Sequence, residues 1–280
     1  MIKFMKRPFK NKVAIILKYF VLTTTAMISL YPFIWVLISS LKDNNEIYSN
    51  SFGFPKVIQW GNYVQAWKGA KVGTSFFNSL FVSLASVAIL IVITAMGSYI
   101  LTRVQKSTLL SVYLSLGIMI PIHAMLIPSV IIFKHLHLQD TRISLILVYI
   151  ATNISFSLYI MKGFMDKIPM ELDEAATIDG CSKAGIFFRI IFPIAKPGIA
   201  TIATLAFLNC WNDLLLGLVM ISDPVKRTLS LGISALKGSY VTQYGLLCSG
   251  FAISIIPVAI MYLIFQKQVV QGMTAGAVKG

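Results

Sequence analysis

Asn209, Trp211, Asn212 and Asp213 are the residues of this 280-residue chain best suited to chemistry on a small polar solute. They interrupt an apolar run that reads Leu208-Asn209-Cys210-Trp211-Asn212-Asp213. On a helix, Asn209, Asn212 and Asp213 share one face through i, i+3 and i, i+4 spacing. Amides and a carboxylate there can bridge vicinal hydroxyls, while an indole offers a flat apolar surface to a sugar ring. Trp211 lies about 200° around the helix from Asp213, so one ring meets both only where the helix breaks. A carboxylate at mid-membrane depth is costly unless it faces water or a partner, which makes Asp213 a functional candidate by default. The competing reading is a polar cluster that locks this helix to its neighbours.

His123 and Asn153 are the other candidates for a solute path. His123 lies between Pro121 and Pro128, in a run where proline bends the helix beside protein or a water-filled space. It is either a hydrogen-bonded structural group or a contact for solute. Asn153 and Ser157 share a face at i, i+4, where they either glue helices together or line the path. The His135-Leu-His137 pair reads as a solvated loop rather than a metal site. Cys181, Cys210 and Cys248 form no C-x-x-C pair and read as structural. No catalytic residue, cofactor site or metal site is expected, and no G-x-x-x-x-G-K-[ST] run is present to cradle phosphates.

These groups need elements that hold them in a bilayer. With 57% hydrophobic and 12% charged residues and a mean hydropathy of +0.80, the composition excludes a soluble globular domain. Six apolar stretches, 19–41, 76–101, 109–133, 143–164, 198–222 and 244–266, are each long enough to cross a ~30 Å hydrocarbon core as a helix. Backbone in lipid must bond within its own segment, so an all-α polytopic membrane protein with six transmembrane helices is expected. A basic N-terminus (1–18) would precede the membrane domain (19–266), and a tail (267–280) would follow it. The first run is too long for a signal-peptide core and lacks an A-x-A-like exit, so it reads as an uncleaved span.

The net charge of +14 needs no nucleic acid to explain it. With the N-terminus inside, the inner segments carry fifteen Lys and Arg and the outer loops nine, which accounts for all 24. That positive-inside bias places both termini and the 165–197 loop in the cytoplasm. Phe52, Phe54, Trp60, Tyr63 and Trp67, in the first outer loop, read as interface anchors.

The 165–197 loop is the longest polar interruption and holds five of the ten acidic residues. Pro169 is placed to open a short helix, with Glu171, Asp173 and Glu174 in its first turns, where the dipole favours negative charge. Gly180 reads as its stop, and Ser182 as the cap of a second helix carrying Ile186, Phe187, Ile190 and Ile191 on one side. Two short helices around a glycine make a knob suited to a groove on another protein.

The loop resembles the EAA–x3–G–x9–I–x–L–P coupling segment of ABC-importer permeases. Glu174-Ala175-Ala176 is followed after three residues by Gly180, after nine more by Ile190, and then by Phe192-Pro193. Only Phe192 departs, replacing Leu. Other stretches resemble the carbohydrate, maltose-type branch: Asn78-Ser-Leu, the Tyr99 and Arg103 of Y-x-x-x-R, residues 119–128, Trp211-Asn212-Asp213, Ser222-Asp-Pro, Arg227-Thr-Leu and the 272–280 tail. Within this reading Arg103 is a snorkelling anchor at the membrane surface. The resemblance implies a permease subunit in the plasma (inner) membrane, paired with a second permease. Two copies of an ABC ATPase, which carry ATP and Mg, would dock through Glu174, Ala175, Ala176, Asp179, Gly180, Ile190 and Pro193. A solute-binding protein would deliver a sugar or oligosaccharide, and an ordered tail would lie near the ATPase. The alternatives are an ABC permease for a non-sugar solute and an ion-driven secondary carrier. The carrier would call for internal repeats and paired intramembrane charges, of which only Asp213 is found.

Overall fold

The computed structural model describes residues 9–237 and 242–275. The extreme N-terminal residues 1–8 of the basic segment and the end of the tail, 276–280, lie outside the described residues. Among the described residues every regular element is helical. Four helices are long and apolar enough to cross a membrane, and six crossings result when each of two sharply bent pairs is counted as one.

The described residues form two compact units, one of 9–66 with 237 and 242–253, the other of 67–236 with 254–275. In the first, α1 (Phe9–Ser39) exposes Leu17, Phe20, Met27 and Phe33 around its length, as lipid requires. The short α2 (Asn44–Ser49) begins at Asp43, whose side chain accepts the Glu46 N–H. It is followed by α3 (Gly61–Val64). Asn62 donates to the carbonyls of Ser40 and Lys42 at 2.9 Å each, and the buried Lys42 ammonium donates to the Asn50 carbonyl at 2.7 Å. A Cβ at Gly245 would stand 2.3 Å from the Lys42 carbonyl oxygen, so only glycine fits this approach.

The second unit is built on α4 (Val72–Tyr99), which continues through a π-helical turn, Ile100–Val104. Ser75, Ser79, Ser83, Ser86, Leu90, Thr94 and Ser98 recur every three or four residues along α4, and all are buried. Small side chains at that spacing let two backbones approach closely inside a membrane. From Ser86 to Ser98 the row lies along α7 (Arg142–Met165), while Ser75 and Ser79 meet Gly232 and Leu229.

Between these two helices the expected 109–133 span is broken. The chain forms α5 (Thr108–Leu116), a 3-10 turn to Met119 and α6 (Ile122–His135), with a 95° bend. The cause is Pro121, which forces Ile120 into extended backbone (ψ 117°) and cannot supply an N–H.

The 165–197 loop folds as α8 (Glu171–Ile178), α9 (Lys183–Ile186), a π-helical turn Phe187–Ile191 and α10 (Phe192–Ile194). The expected 198–222 span is also interrupted. After α11 (Lys196–Asn212) the chain breaks at Asp213, then forms α12 (Leu215–Met220). The 221–228 segment leads to α13 (Leu229–Ser234), and α14 (Tyr244–Ala275) closes the described chain. The core of the unit gathers Val82, Val148, Tyr149, Cys210, Leu216 and Leu231 from α4, α7, α11, α12 and α13.

Candidate functional site

Asp213 ends α11 in extended conformation (ψ 132°), so it leaves the helical face assumed for Asn209, Asn212 and Asp213. Its side chain turns forward to the next helix. One oxygen accepts the Leu216 N–H at 3.2 Å; the other accepts the Gly217 N–H at 3.0 Å and the Tyr149 hydroxyl at 2.9 Å. The carboxylate thereby satisfies donors that the start of α12 leaves open and ties the break to α7. This is the locking arrangement, built through a helix cap rather than across a helix face.

The same carboxylate also lines a cavity of about 250 Å³ with Ile122, Tyr149, Thr152, Asn153, Asn209 and Leu216. Asn209 donates to the Asn153 side-chain carbonyl at 2.9 Å, and Asn153 donates to the Tyr149 backbone carbonyl at 2.8 Å. A carboxylate, a phenol, two amides and a hydroxyl therefore converge on a space of roughly eight waters, or one small polyhydroxy group. Such a set can exchange hydrogen bonds with alcohols in both directions. Asp213, Asn209 and Asn153 are brought together here. Tyr149 and Thr152, not anticipated from sequence, join them from α7; the i, i+4 relation of Tyr149 to Asn153 was the available signal, whereas Thr152, adjacent to Asn153, had none.

The remaining path candidates fall elsewhere. Asn212 is exposed beside the break, and His123 is exposed on α6, outside the lining of this cavity. Trp211 is 2% exposed. Its ring stacks on Phe207 (5.6 Å, 17°), meets the edge of Phe76 (5.5 Å, 84°) and donates its N–H to the Ser254 carbonyl at 3.1 Å. Because α11 runs on to Asn212, the indole stays packed in the core, outside the lining of the Asp213 cavity.

The loop below α4 and α7 forms the second candidate surface. Helix α8 starts two residues after Pro169, at Glu171, so the proline precedes the helix rather than opening it. Gly180 has φ +79°, Cys181 N–H donates to the Ala176 carbonyl at 2.9 Å, and Gly180 N–H to that of Thr177 at 3.0 Å. These are the paired bonds of a left-handed helix stop. Ser182 caps the next helix through the Gly185 N–H at 3.2 Å. Ala176, Ile186, Phe187 and Ile191 are buried beneath the knob and Ile190 is half-buried, whereas Glu174, Ala175, Asp179, Gly180 and Pro193 are exposed. Ile178, 86% exposed beside the glycine turn, gives the tip an apolar point.

Arg103 departs from the snorkelling expectation. Its side chain is 4% exposed and is turned inward to Asp173 of α8 at 3.5 Å and to the backbone carbonyls of Met165 (2.8 Å) and Ile168. Two backbone carbonyls and a carboxylate therefore face the guanidinium inside the protein.

At the opposite end of α4, Asn78 donates to the carbonyls of Val225 (2.8 Å) and Arg227 (3.0 Å), and the Ser79 hydroxyl accepts the Leu229 N–H at 2.7 Å. The Asn-Ser-Leu run therefore holds the Ser222-Asp-Pro to Arg227-Thr-Leu segment from across the unit.

Known proteins of the same build exist. The chain is 34% identical over 255 residues, 90% of its length and 89% of the relative's, to the sulfoquinovosyl glycerol transport system permease protein SmoH of Agrobacterium fabrum. Over 250 residues, 89% of its length and 91% of the relative's, it is 34% identical to the probable starch degradation products transport system permease protein AmyC of Thermoanaerobacterium thermosulfurigenes. Its fold matches, with a TM-score of 0.83 at 22% identity, a chain of a bacterial ABC transporter involved in the import of the acidic polysaccharide alginate, covering 94% of this chain and 99% of that one. Residues 96–275 carry the family pattern itself, and the chain belongs to the binding-protein-dependent transport system inner membrane components.

Proposed function

We propose that this chain is one of two permease subunits forming the membrane path of an ATP-driven importer for a sugar or oligosaccharide. ATP and Mg act on two copies of a separate cytoplasmic ATPase, and this subunit performs no hydrolysis of its own. Both termini and the 165–197 loop face the cytoplasm, as the charge bias between loops supports. A binding protein on the other side delivers the solute.

The observation that carries the reading is the exposed knob around Gly180. Its positive-φ turn joins two short helices, the second capped by Ser182, and Glu174, Ala175, Asp179 and Ile178 are exposed on it. A surface of that shape in a membrane subunit of a binding-protein-dependent system fits a groove on a soluble partner. The sugar assignment draws on the relatives, whose names cite sulfoquinovosyl glycerol and starch degradation products, and on a polar cavity suited to hydroxyl groups.

The test is a mild-detergent pull-down from native membranes, wild type beside Gly180→Trp, with partners identified by mass spectrometry. An ATPase and a second permease should accompany wild type, and the ATPase should be lost from Gly180→Trp. A wild-type chain that brings down no ATPase after gentle cross-linking overturns the reading. A labelled-solute uptake panel then separates sugars from other solutes.

A further inference from the structure

Tyr99 and Arg103 stand one helical turn apart, where α4 runs into its π-helical turn, and both are directed at the knob. The Tyr99 hydroxyl donates to the Lys183 carbonyl at 3.2 Å, and its ring packs on Phe187 at 5.2 Å. These contacts hold α9 and the turn after it. Arg103 holds α8: one terminal nitrogen reaches Asp173, 3.5 Å away, and the Met170 sulfur, and the other donates to the Met165 and Ile168 carbonyls. Asp173 directly precedes Glu174 in the exposed motif. One helix thus grips both halves of the knob, each through a different residue.

The far end of that helix is gripped too, through Asn78 and Ser79 on the 225–229 segment. Between the two grips lie some twenty residues of uninterrupted helix, roughly 30 Å at 1.5 Å per residue. Helix α4 also packs along α7 and α11, which carry Tyr149, Asn153 and Asn209 of the polar cavity.

We propose that Tyr99 and Arg103 are positioning residues that pass displacement of the knob into α4, and through α4 to the cavity helices and the 225–229 segment. The proposal rests on the importer reading above. It assigns to Arg103 a mechanical role in coupling, beyond membrane topology. Arginine is suited to it because its planar fork meets a carboxylate and two carbonyls together, which a lysine ammonium cannot reproduce.

The experiment uses the complete importer, purified with its ATPase, with Cys181, Cys210 and Cys248 replaced by Ala or Ser and a fluorophore placed on Val225→Cys. The reading is the fluorescence change at position 225 on adding Mg-ATP. Wild type is compared with Arg103→Lys, Asp173→Asn and Tyr99→Phe, the last removing only the hydroxyl bond. The expected result is unchanged ATPase co-purification and basal hydrolysis within twofold, with the Mg-ATP response reduced at least fivefold in Arg103→Lys and about twofold in the other two. A response within twofold of wild type in Arg103→Lys, with the ATPase still bound, overturns the inference and leaves the importer reading intact. If Arg103→Lys sheds the ATPase through misfolding, Asp173→Asn and Tyr99→Phe decide, and wild-type responses in both overturn it. Failure of the unmodified chain to carry any ATPase overturns the importer reading and this inference together.

Discussion

The Tyr149 hydroxyl donates to the Asp213 carboxylate across 2.9 Å, joining the middle of α7 to the point where α11 stops. Two backbone N–H groups of α12 share the same carboxylate. The acid is therefore structural and cavity-lining at once, and the two roles separate by substitution. Asp213→Ala removes the cap and the phenol bond and should cost about 2 kcal/mol of stability. Tyr149→Phe removes one bond and should cost about 1 kcal/mol. Thermal melts in detergent beside uptake assays check both. Uptake that falls further in Asp213→Asn than in Tyr149→Phe, at equal melting temperature, assigns the charge to the solute.

Gly180→Ala tests the turn with the least disturbance. Nothing stands within 4 Å of the added methyl, so the cost is confined to holding an L side chain at φ +79°. About 1 kcal/mol of local strain is expected, roughly a fivefold shift towards a frayed α8 end. Hydrogen exchange at the Gly180 and Cys181 amides should rise by that factor, and ATPase recovery in pull-downs should fall with it. Unchanged exchange would show that the turn tolerates the side chain.

Asn78→Leu should free the 225–227 backbone while leaving α4 helical. The amide holds two carbonyls, each bond being worth about 1 kcal/mol net. Faster amide exchange and earlier proteolytic cutting after Lys226 or Arg227 are the expected signs. A variant as resistant as wild type would mean that the Ser79–Leu229 bond and the Asp140 contacts to Ser222, Asp223 and Lys226 suffice to fix the segment.

The neighbouring Asp223 supplies a pH signature. The Val225 N–H above all holds its carboxyl below the usual carboxylate range; desolvation opposes it, and Lys226 and Arg142 add individually smaller lowering effects. A depressed folded-state pKa contributes stability that is complete above the unfolded value, near ~4, and is lost as pH falls through the folded value. Protection of the Val225 amide, corrected for intrinsic exchange, should be level from pH 7 to 5 and decline only below about pH 4. Asp223→Asn should abolish that dependence.

What was legible in the sequence was local. Gly180 as a positive-φ stop and Ser182 as a cap follow from backbone sterics and one side-chain bond, and both stand in the structure. The long spans α4, α7 and α14 follow from hydropathy and lie within a few residues of expectation. The break at Asp213 was hidden because no glycine or proline marks it. Its available signal was an Asp placed where a new helix would need a capping acceptor. The inward turn of Arg103 and the reach of Asn78 to Arg227 depend on partners 62 to 149 positions away in the chain. Spacing within one helix carries no information about such partners.

The buried serine and threonine row of α4 has a consequence for motion. Ser86 and Thr94 send their hydroxyls back to carbonyls of their own helix, at 2.7 Å each. The hydroxyl bonds that reach α7 are the long ones, Ser86 to Ile146 at 3.5 Å and Ser98 to Leu158 at 3.3 Å. The two helices touch closely yet share few strong directional links. Such a contact suits a bearing: it transmits pressure across its length, and a rocking of one rod against the other has only two long hydroxyl bonds to break and remake.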